Sequence, residues 1–327
     1  MSSRAPSLTV VLAAPKSLRR IAKTLDSLVA QTARDRLEIV IVTDATEATA
    51  VLEPSLAEFA SYTVVHVEKL GSRAAANAEG FRHASADIVA FGEDHCFPAT
   101  TWAAALIERH GEGWAAVGPA IENANPASAV SRCDLLVNYG PWVAADSGEV
   151  SHLPGHNTSY KRASLASRAD RLTDLLEVEV ELHEEMAAAG ERLCFEPAAR
   201  VAHVNISRWR PWLACSFYAG RVYAAARARR WSLGRRALYV SAWPLIALVR
   251  LSRTLLDWPA AAGSAARLAP VLAAGLISDA AGQAFGYATG MGQARERMAS
   301  FELDRIDHVR PSERALLEIE EIGGAAR

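Results

Sequence analysis

Hydrophobic and polar positions in the first hundred residues alternate between two periods, and that alternation lays out the fold. Leu8-Thr9-Val10-Val11-Leu12 is a near-continuous apolar run of strand length, the pattern of a strand covered on both faces. Residues 17–31 follow, with Leu18, Ile21, Leu25, Leu28 and Val29 at helical spacing. A second run, Leu37-Glu38-Ile39-Val40-Ile41-Val42, stops at Thr43-Asp44. The pattern then predicts a helix over 51–59, extended chain over 62–67, a helix over 74–84 and a strand through Ile88-Val89-Ala90-Phe91-Gly92. Helix is expected over 99–110 and extended chain over 114–121, after which the pattern becomes irregular. Strands alternating with helices are the signature of βαβ units, so the expected fold class is α/β with a mostly parallel, doubly wound sheet.

In an open sheet of this kind, ligands bind at the carboxyl ends of the strands. Two chemically interesting stops fall on that edge: Asp44 after the second strand, and Glu93-Asp94-His95 directly after Gly92. Two acids and a histidine emerging from a buried strand form a metal-capable cluster where a divalent cation and a phosphate could meet.

Composition narrows the setting. A chain of 327 residues, 50% of them apolar and with net charge −2, can bury a substantial core and carries no basic excess that calls for nucleic acid. Cys96, Cys133, Cys194 and Cys215 form no C-x-x-C pair, which argues against a disulfide framework or a structural zinc site and suits a reducing compartment. The N-terminal apolar run, residues 8–14, is short, ends at Pro15-Lys16, lacks a signal-peptide cleavage context and reads as a strand.

Several segments, in order and at suitable spacing over residues 8–203, resemble the family 2 glycosyltransferases. Thr24-Leu25-Asp26-Ser27-Leu28-Val29-Ala30-Gln31-Thr32 looks like the first helix of that family, and Glu38 to Asp44 like the strand ending in its nucleotide-binding aspartate. Phe91-Gly92-Glu93-Asp94-His95-Cys96-Phe97-Pro98 stands where the D-x-D strand end belongs, with Trp102 after it. Gly190 to Pro197, followed by Val201-Ala202-His203, resembles the closing segment and its terminal histidine. The sequence also departs from the pattern. Ala13-Ala14-Pro15-Lys16 replaces P-x-x-N, the arginine-asparagine pair of the third helix is reduced to Arg73 with Asn77, and D-x-D has become Glu93-Asp94-His95.

The resemblance implies a GT-A fold, a nucleotide-diphosphate sugar donor, a hydroxyl acceptor and a divalent cation, Mn²⁺ or Mg²⁺, with imidazole favouring ions softer than Mg²⁺. It places Asp44 toward the base of the nucleotide, Arg73 and Asn77 toward the donor phosphates, and Glu93 and Asp94 toward ribose and metal. His95 and His203 complete the coordination. Gly155, His156 and Asn157, in the stretch 153–162, fall in the loop that lies against the donor sugar and acceptor. Laid on the family pattern with Leu182 as anchor, the acidic stretch 176–185 puts the base that deprotonates the acceptor at Glu179, with Glu181 the neighbouring candidate. Taken alone, Asp44 reads equally as a helix cap, and the acidic stretch as a helix start favoured by the helix dipole.

Beyond His203 the composition changes. Residues 208–236 interleave arginines with Trp209, Trp212, Phe217, Tyr218, Tyr223 and Trp231, a mixture expected at an anionic membrane surface. Two uncharged apolar runs follow, 237–249 and 268–278, each short of the ~20 residues a spanning helix needs. Arg250, Arg253 and Asp279 interrupt their extension. The expected organisation is therefore a catalytic domain over 1–207, a helical region over 208–300 seated on the cytoplasmic face of a membrane, and a charged helix or tail over 301–327. A soluble helical subdomain is the alternative for the middle region, and a lipid-linked acceptor would suit the membrane seat. Two other functions remain open at this point. A sugar-phosphate nucleotidyltransferase would need a glycine-rich phosphate loop that Ala13-Ala14-Pro15-Lys16 does not provide. A sugar-nucleotide-binding scaffold without turnover would explain the eroded motifs.

Overall fold

The computed structural model describes residues 5–143, 146–256 and 264–317, so the end of the expected tail, 318–327, lies outside the described residues. The chain divides into two compact units that are both discontinuous in sequence. Among the described residues, one is formed by 5–124, 146–203 and 315–317, the other by 125–143, 204–256 and 264–314. The expected boundary after residue 207 falls close to an observed break at 203/204, but the division is not linear.

The first unit is a mixed nine-stranded sheet with helices. Its strands are β1 (Leu8–Ala14), β2 (Leu37–Thr43), β3 (Ser61–His66), β4 (Ile88–Gly92), β5 (Cys96–Pro98), β6 (Ala116–Asn123), β7 (Gly148–Val150), β8 (Ser159–Lys161) and β9 (Leu193–His203). Their order is β3-β2-β1-β4-β8-β6-β9-β5, with β7 also paired to β9. The predicted parallel core is present: β1 pairs parallel with β2 and β4, and β2 with β3. The sheet as a whole is not mostly parallel, because β8 runs antiparallel between β4 and β6, and β5 and β7 run antiparallel to β9. Strands β1 and β2 are buried at every position, as their unbroken apolar runs require.

The helices of this unit are α1 (Ala22–Val29), α2 (Glu53–Leu56), α3 (Arg73–His83) and α4 (Trp102–His110). In the other unit comes α5 (Ala129–Tyr139), and the first then resumes with α6 (Arg162–Ala166), α7 (Leu172–Glu177) and α8 (Glu179–Ala188). The helix expected over 51–59 is only the single turn α2, started by Pro54 at its first turn. Helix α3 begins where Ser72, in extended conformation, accepts a hydrogen bond from the Ala75 amide at 3.1 Å. That cap sets Arg73 as the first helical residue.

The second unit adds α9 (Trp209–Arg227), α10 (Leu233–Ser241), α11 (Trp243–Leu256), α12 (Ala265–Thr289), α13 (Ala294–Leu303) and α14 (Pro311–Leu316). Its core joins Val130, Cys133 and Leu136 of α5, Trp212 and Cys215 of α9, and Leu268, Leu272 and Leu276 of α12. The apolar run expected to stop at Asp279 continues through it, because Asp279 is buried against Arg250 and the amide of Gln283. Helix α12 is long and apolar enough to cross a membrane by length and composition, yet 44% of its most apolar window is buried inside the protein. Close backbone packing explains part of this: a Cβ at Gly282 would sit 1.9 Å from the Phe217 carbonyl oxygen of α9, so only glycine lets the two helices approach that far.

Candidate active site

The parallel pairs β1/β2 and β1/β4 bring the carboxyl ends of β2 and β4 to one edge, and the turn after β4 carries Glu93, Asp94 and His95. Helix α1 buttresses that turn. The Thr24 hydroxyl reaches the carbonyl oxygens of Cys96 (3.0 Å) and Glu93 (3.3 Å). The register of β5 on β9 then sets Cys96 directly opposite His203, joining residues more than a hundred positions apart.

The outcome is a buried cluster centred on the Glu93 carboxylate. Its Oε2 lies 3.1 Å from the Cys96 sulfur, 3.6 Å from His95 Nε2 and 3.7 Å from His203 Nε2, while His156 Nδ1 is 2.6 Å from Oε1. Burial pushes the Glu93 carboxyl up, but the charges of His156, His95 and His203 more than reverse this and hold it well below the usual range. Burial, and then the neighbouring Glu93, push the Cys96 thiol well up, so in this state it stays protonated and donates to Glu93. Asp94 takes a different part from the other members. Its Oδ1 lies 2.6 Å from His95 Nδ1, which orients the ring and turns Nε2 inward.

Glu93, His95, Cys96 and His203 offer donor atoms within 4.8 Å of one another, and His95 Nε2 is buried with no hydrogen-bond partner. Two imidazoles, a carboxylate and a sulfur converging in this way fit a divalent cation. Sequence reading had placed Glu93, Asp94, His95 and His203 together. In the structure Asp94 holds a ring rather than facing the other donors, and Cys96 stands in its place. Cys96 adjoins His95 in the sequence, but nothing linear shows that its sulfur turns toward Glu93.

A second carboxylate lies close by. Helix α8 starts at Glu179, whose side chain is 18% exposed and forms an ion pair with Arg73 of α3. Gly155 makes room for it, since a Cβ there would fall 2.4 Å from the Glu179 carboxyl carbon. Burial raises the Glu179 carboxyl, but the Arg73 guanidinium and then His156 outweigh it and hold the group below its ordinary range. The loop 153–158 thus lays Gly155 against Glu179 and His156 against Glu93. Glu177 of α7 reaches Ser72, and Glu181, two residues into α8, is rotated by about 200° from Glu179.

The remaining sequence candidates occupy defined places. Asp44 accepts hydrogen bonds from the backbone amides of Lys16 (2.8 Å) and Leu70 (3.2 Å), so it ties together the loops after β1 and β3. Asn77, one helical turn beyond Arg73, is fully buried with both amide atoms lacking a hydrogen-bond partner. Asn157 adopts a left-handed conformation (φ 58°), and its amide donates to the Phe91 carbonyl at 2.9 Å, fixing the loop to β4. Sequence reading missed His183 and Tyr160. They meet at 3.0 Å beneath the loop, with the Leu153 amide 3.5 Å from the same ring.

Residues 9–167 match the family model described as glycosyl transferase family 2. No curated protein sequence matches the chain. Among solved structures, the chain is similar to S. aureus TarS 1-349 in complex with UDP, at 16% identity and TM-score 0.49, covering 87% of this chain and 92% of that one. It is similar to GalNAc-T7 with UDP, GalNAc and Mn²⁺ at 16% identity and TM-score 0.47. That alignment covers 61% of this chain, which spans only 43% of the GalNAc-T7 chain. The mixed α/β sheet is consistent with the GT-A arrangement that the resemblance in the sequence implies.

Proposed function

We propose that this chain, whose residues 9–167 carry a family 2 glycosyltransferase segment, transfers a sugar with inversion from a nucleoside-diphosphate sugar to a hydroxyl acceptor. The observation that carries this reading is the loop 153–158, which lays Gly155 against the Glu179 carboxylate and His156 against the Glu93 cluster, with His156 near enough to both carboxylates to lower each. One carboxylate beside a cation-capable cluster is what a single displacement needs.

In this reading the acceptor oxygen attacks the anomeric carbon from the face opposite the diphosphate. The bond to the diphosphate breaks as the new glycosidic bond forms, and the hydroxyl proton passes to Glu179. Arg73 has two anionic partners to serve, the carboxylate it holds and the donor diphosphate, so drawing it toward the donor would free Glu179 to accept the proton. Asp44 would face the nucleotide base, Asn77 the donor, and Gly155, His156 and Asn157 the sugar. Glu93, His95 and His203 would hold a divalent cation with Asp94 orienting His95, and such a cation would supply positive charge for the departing diphosphate.

The second unit supports a seat on an anionic membrane, in keeping with a cytoplasmic-face location and a lipid-linked acceptor. Around α10 and α11 the chain exposes Leu233, Leu238, Leu245, Leu248 and Leu256 together with Arg230, Arg235 and Arg253. Exposed leucines beside guanidinium groups suit the boundary between headgroups and acyl chains.

Thermal shift against a panel of nucleotide sugars, with and without Mn²⁺, tests the donor. A ligand that binds only the folded protein raises its apparent stability, so one nucleotide sugar should lift Tm and transfer its sugar to a hydroxyl compound. A panel that leaves Tm unchanged would count against the reading.

A further inference from the structure

We infer that Cys96 is a thiolate ligand, and that the cation of the Glu93 cluster is a tetrahedral, zinc-class ion rather than an octahedral one. This deepens the proposed function, on which it rests, by specifying the cation of its site, whose four protein donors would leave the diphosphate to be met by the ion's charge or as a fifth ligand, and it can fail independently of that function.

The argument is geometric. Donors bound at ~2.0–2.3 Å to a tetrahedral ion lie roughly 3.3–3.7 Å from one another. From Glu93 Oε2 the two inward imidazole nitrogens are at 3.6 and 3.7 Å, within that range, the sulfur is nearer at 3.1 Å, and all four donor atoms lie within 4.8 Å of one another, so an ion entering between them would draw them into four-coordination. All four side chains are buried, none more than 4% exposed. An octahedral Mg²⁺ or Mn²⁺ site is instead built mainly from oxygen donors and retains water.

The chemistry of the set points the same way. A sulfur and two imidazoles are soft and borderline donors that select zinc over manganese and magnesium. Asp94 on the Nδ1 of His95 is the carboxylate–histidine support that zinc sites carry. Binding converts the Cys96 thiol to thiolate and releases its proton to the buffer, with no change of oxidation state. Cys133, Cys194 and Cys215 are buried elsewhere and take no part in the cluster.

Cobalt(II) substitution in the full-length protein is the test. The wild type should bind about one Co²⁺ per chain with the strong visible bands of a tetrahedral ion and a near-ultraviolet sulfur-to-cobalt charge-transfer band. Cys96→Ser should abolish the charge-transfer band and weaken zinc binding by at least about 10-fold in competition with a chromophoric chelator. If Cys96→Ser does not fold, the wild-type spectrum decides alone. A weak octahedral spectrum without the sulfur band overturns the inference, as does a spectrum unchanged by Cys96→Ser. Mn²⁺-supported transfer together with such an octahedral spectrum sinks this inference and leaves the proposed function standing. A sulfur band in a protein that binds no nucleotide sugar does the reverse.

Discussion

Glu179 is charged, partly buried and already paired with Arg73, and that combination makes its role separable from its neighbours. Glu179→Gln keeps the shape of the side chain and loses its basicity, so kcat should fall by about 10²- to 10⁴-fold while donor affinity changes little. Glu181→Gln should stay near wild type, because α8 turns that position away. Steady-state kinetics on both variants checks this, and full activity in Glu179→Gln would remove it as the base. The sequence pointed to this residue only through its spacing from Leu182. Nothing linear shows that Gly155 and Arg73 would enclose it, since those contacts join parts of the chain 24 and 106 positions away. The Glu93 cluster was partly legible for a similar reason. Three adjacent residues announce chemistry, but whether a side chain joins the donors or supports a ring is set by local geometry, which moved Asp94 out and Cys96 in.

At the scale of elements, β8 is the piece that sequence patterning could not find. Three residues are too few for a period to register, yet β8 joins β4 to β6 at the centre of the sheet. Two buried histidines hold it: His110 of α4 lies 2.9 Å from the Ser159 hydroxyl, and His183 of α8 lies 3.0 Å from the Tyr160 hydroxyl. Burial lowers both imidazoles to about 4. Between the unfolded value of about 6.5 and the folded value of about 4, the unfolded chain binds protons that the folded protein does not. The stability they contribute is therefore complete above about pH 6.5 and is lost as the pH falls toward 4, by about 2 kcal/mol for each histidine at pH 5. Urea midpoints should accordingly drop between pH 7 and pH 5, and the drop should shrink in His183→Gln. A midpoint that does not move over that interval would contradict the neutral burial of these rings. By contrast β1 and β2 were plain in the sequence, because a strand covered on both faces must be apolar at nearly every position.

For the molecule as a whole, exposed leucines and arginines predict binding to surfaces. Full-length protein should co-sediment with anionic vesicles and be released as salt screens the arginines, and the double variant Leu245→Glu, Leu248→Glu should bind at least several-fold more weakly. Equal sedimentation of wild type and variant would assign those leucines no part in the contact. Sequence reading cut the second apolar run at Asp279 because a lone charge looks like a terminus. Its partner Arg250, 29 positions upstream, neutralises it inside the fold. The interleaving of the two units has a consequence in time. Helix α5 leaves the ribosome early, but its Val130, Cys133 and Leu136 belong to a core that includes residues as far along as Phe301. At about 5–20 residues per second, that apolar stripe waits on the order of 10 to 30 seconds for its partners. A nascent chain of this protein should therefore engage chaperones through much of its synthesis, and slowing translation past residue 143 should raise the yield of aggregate before it changes anything measurable in the finished protein.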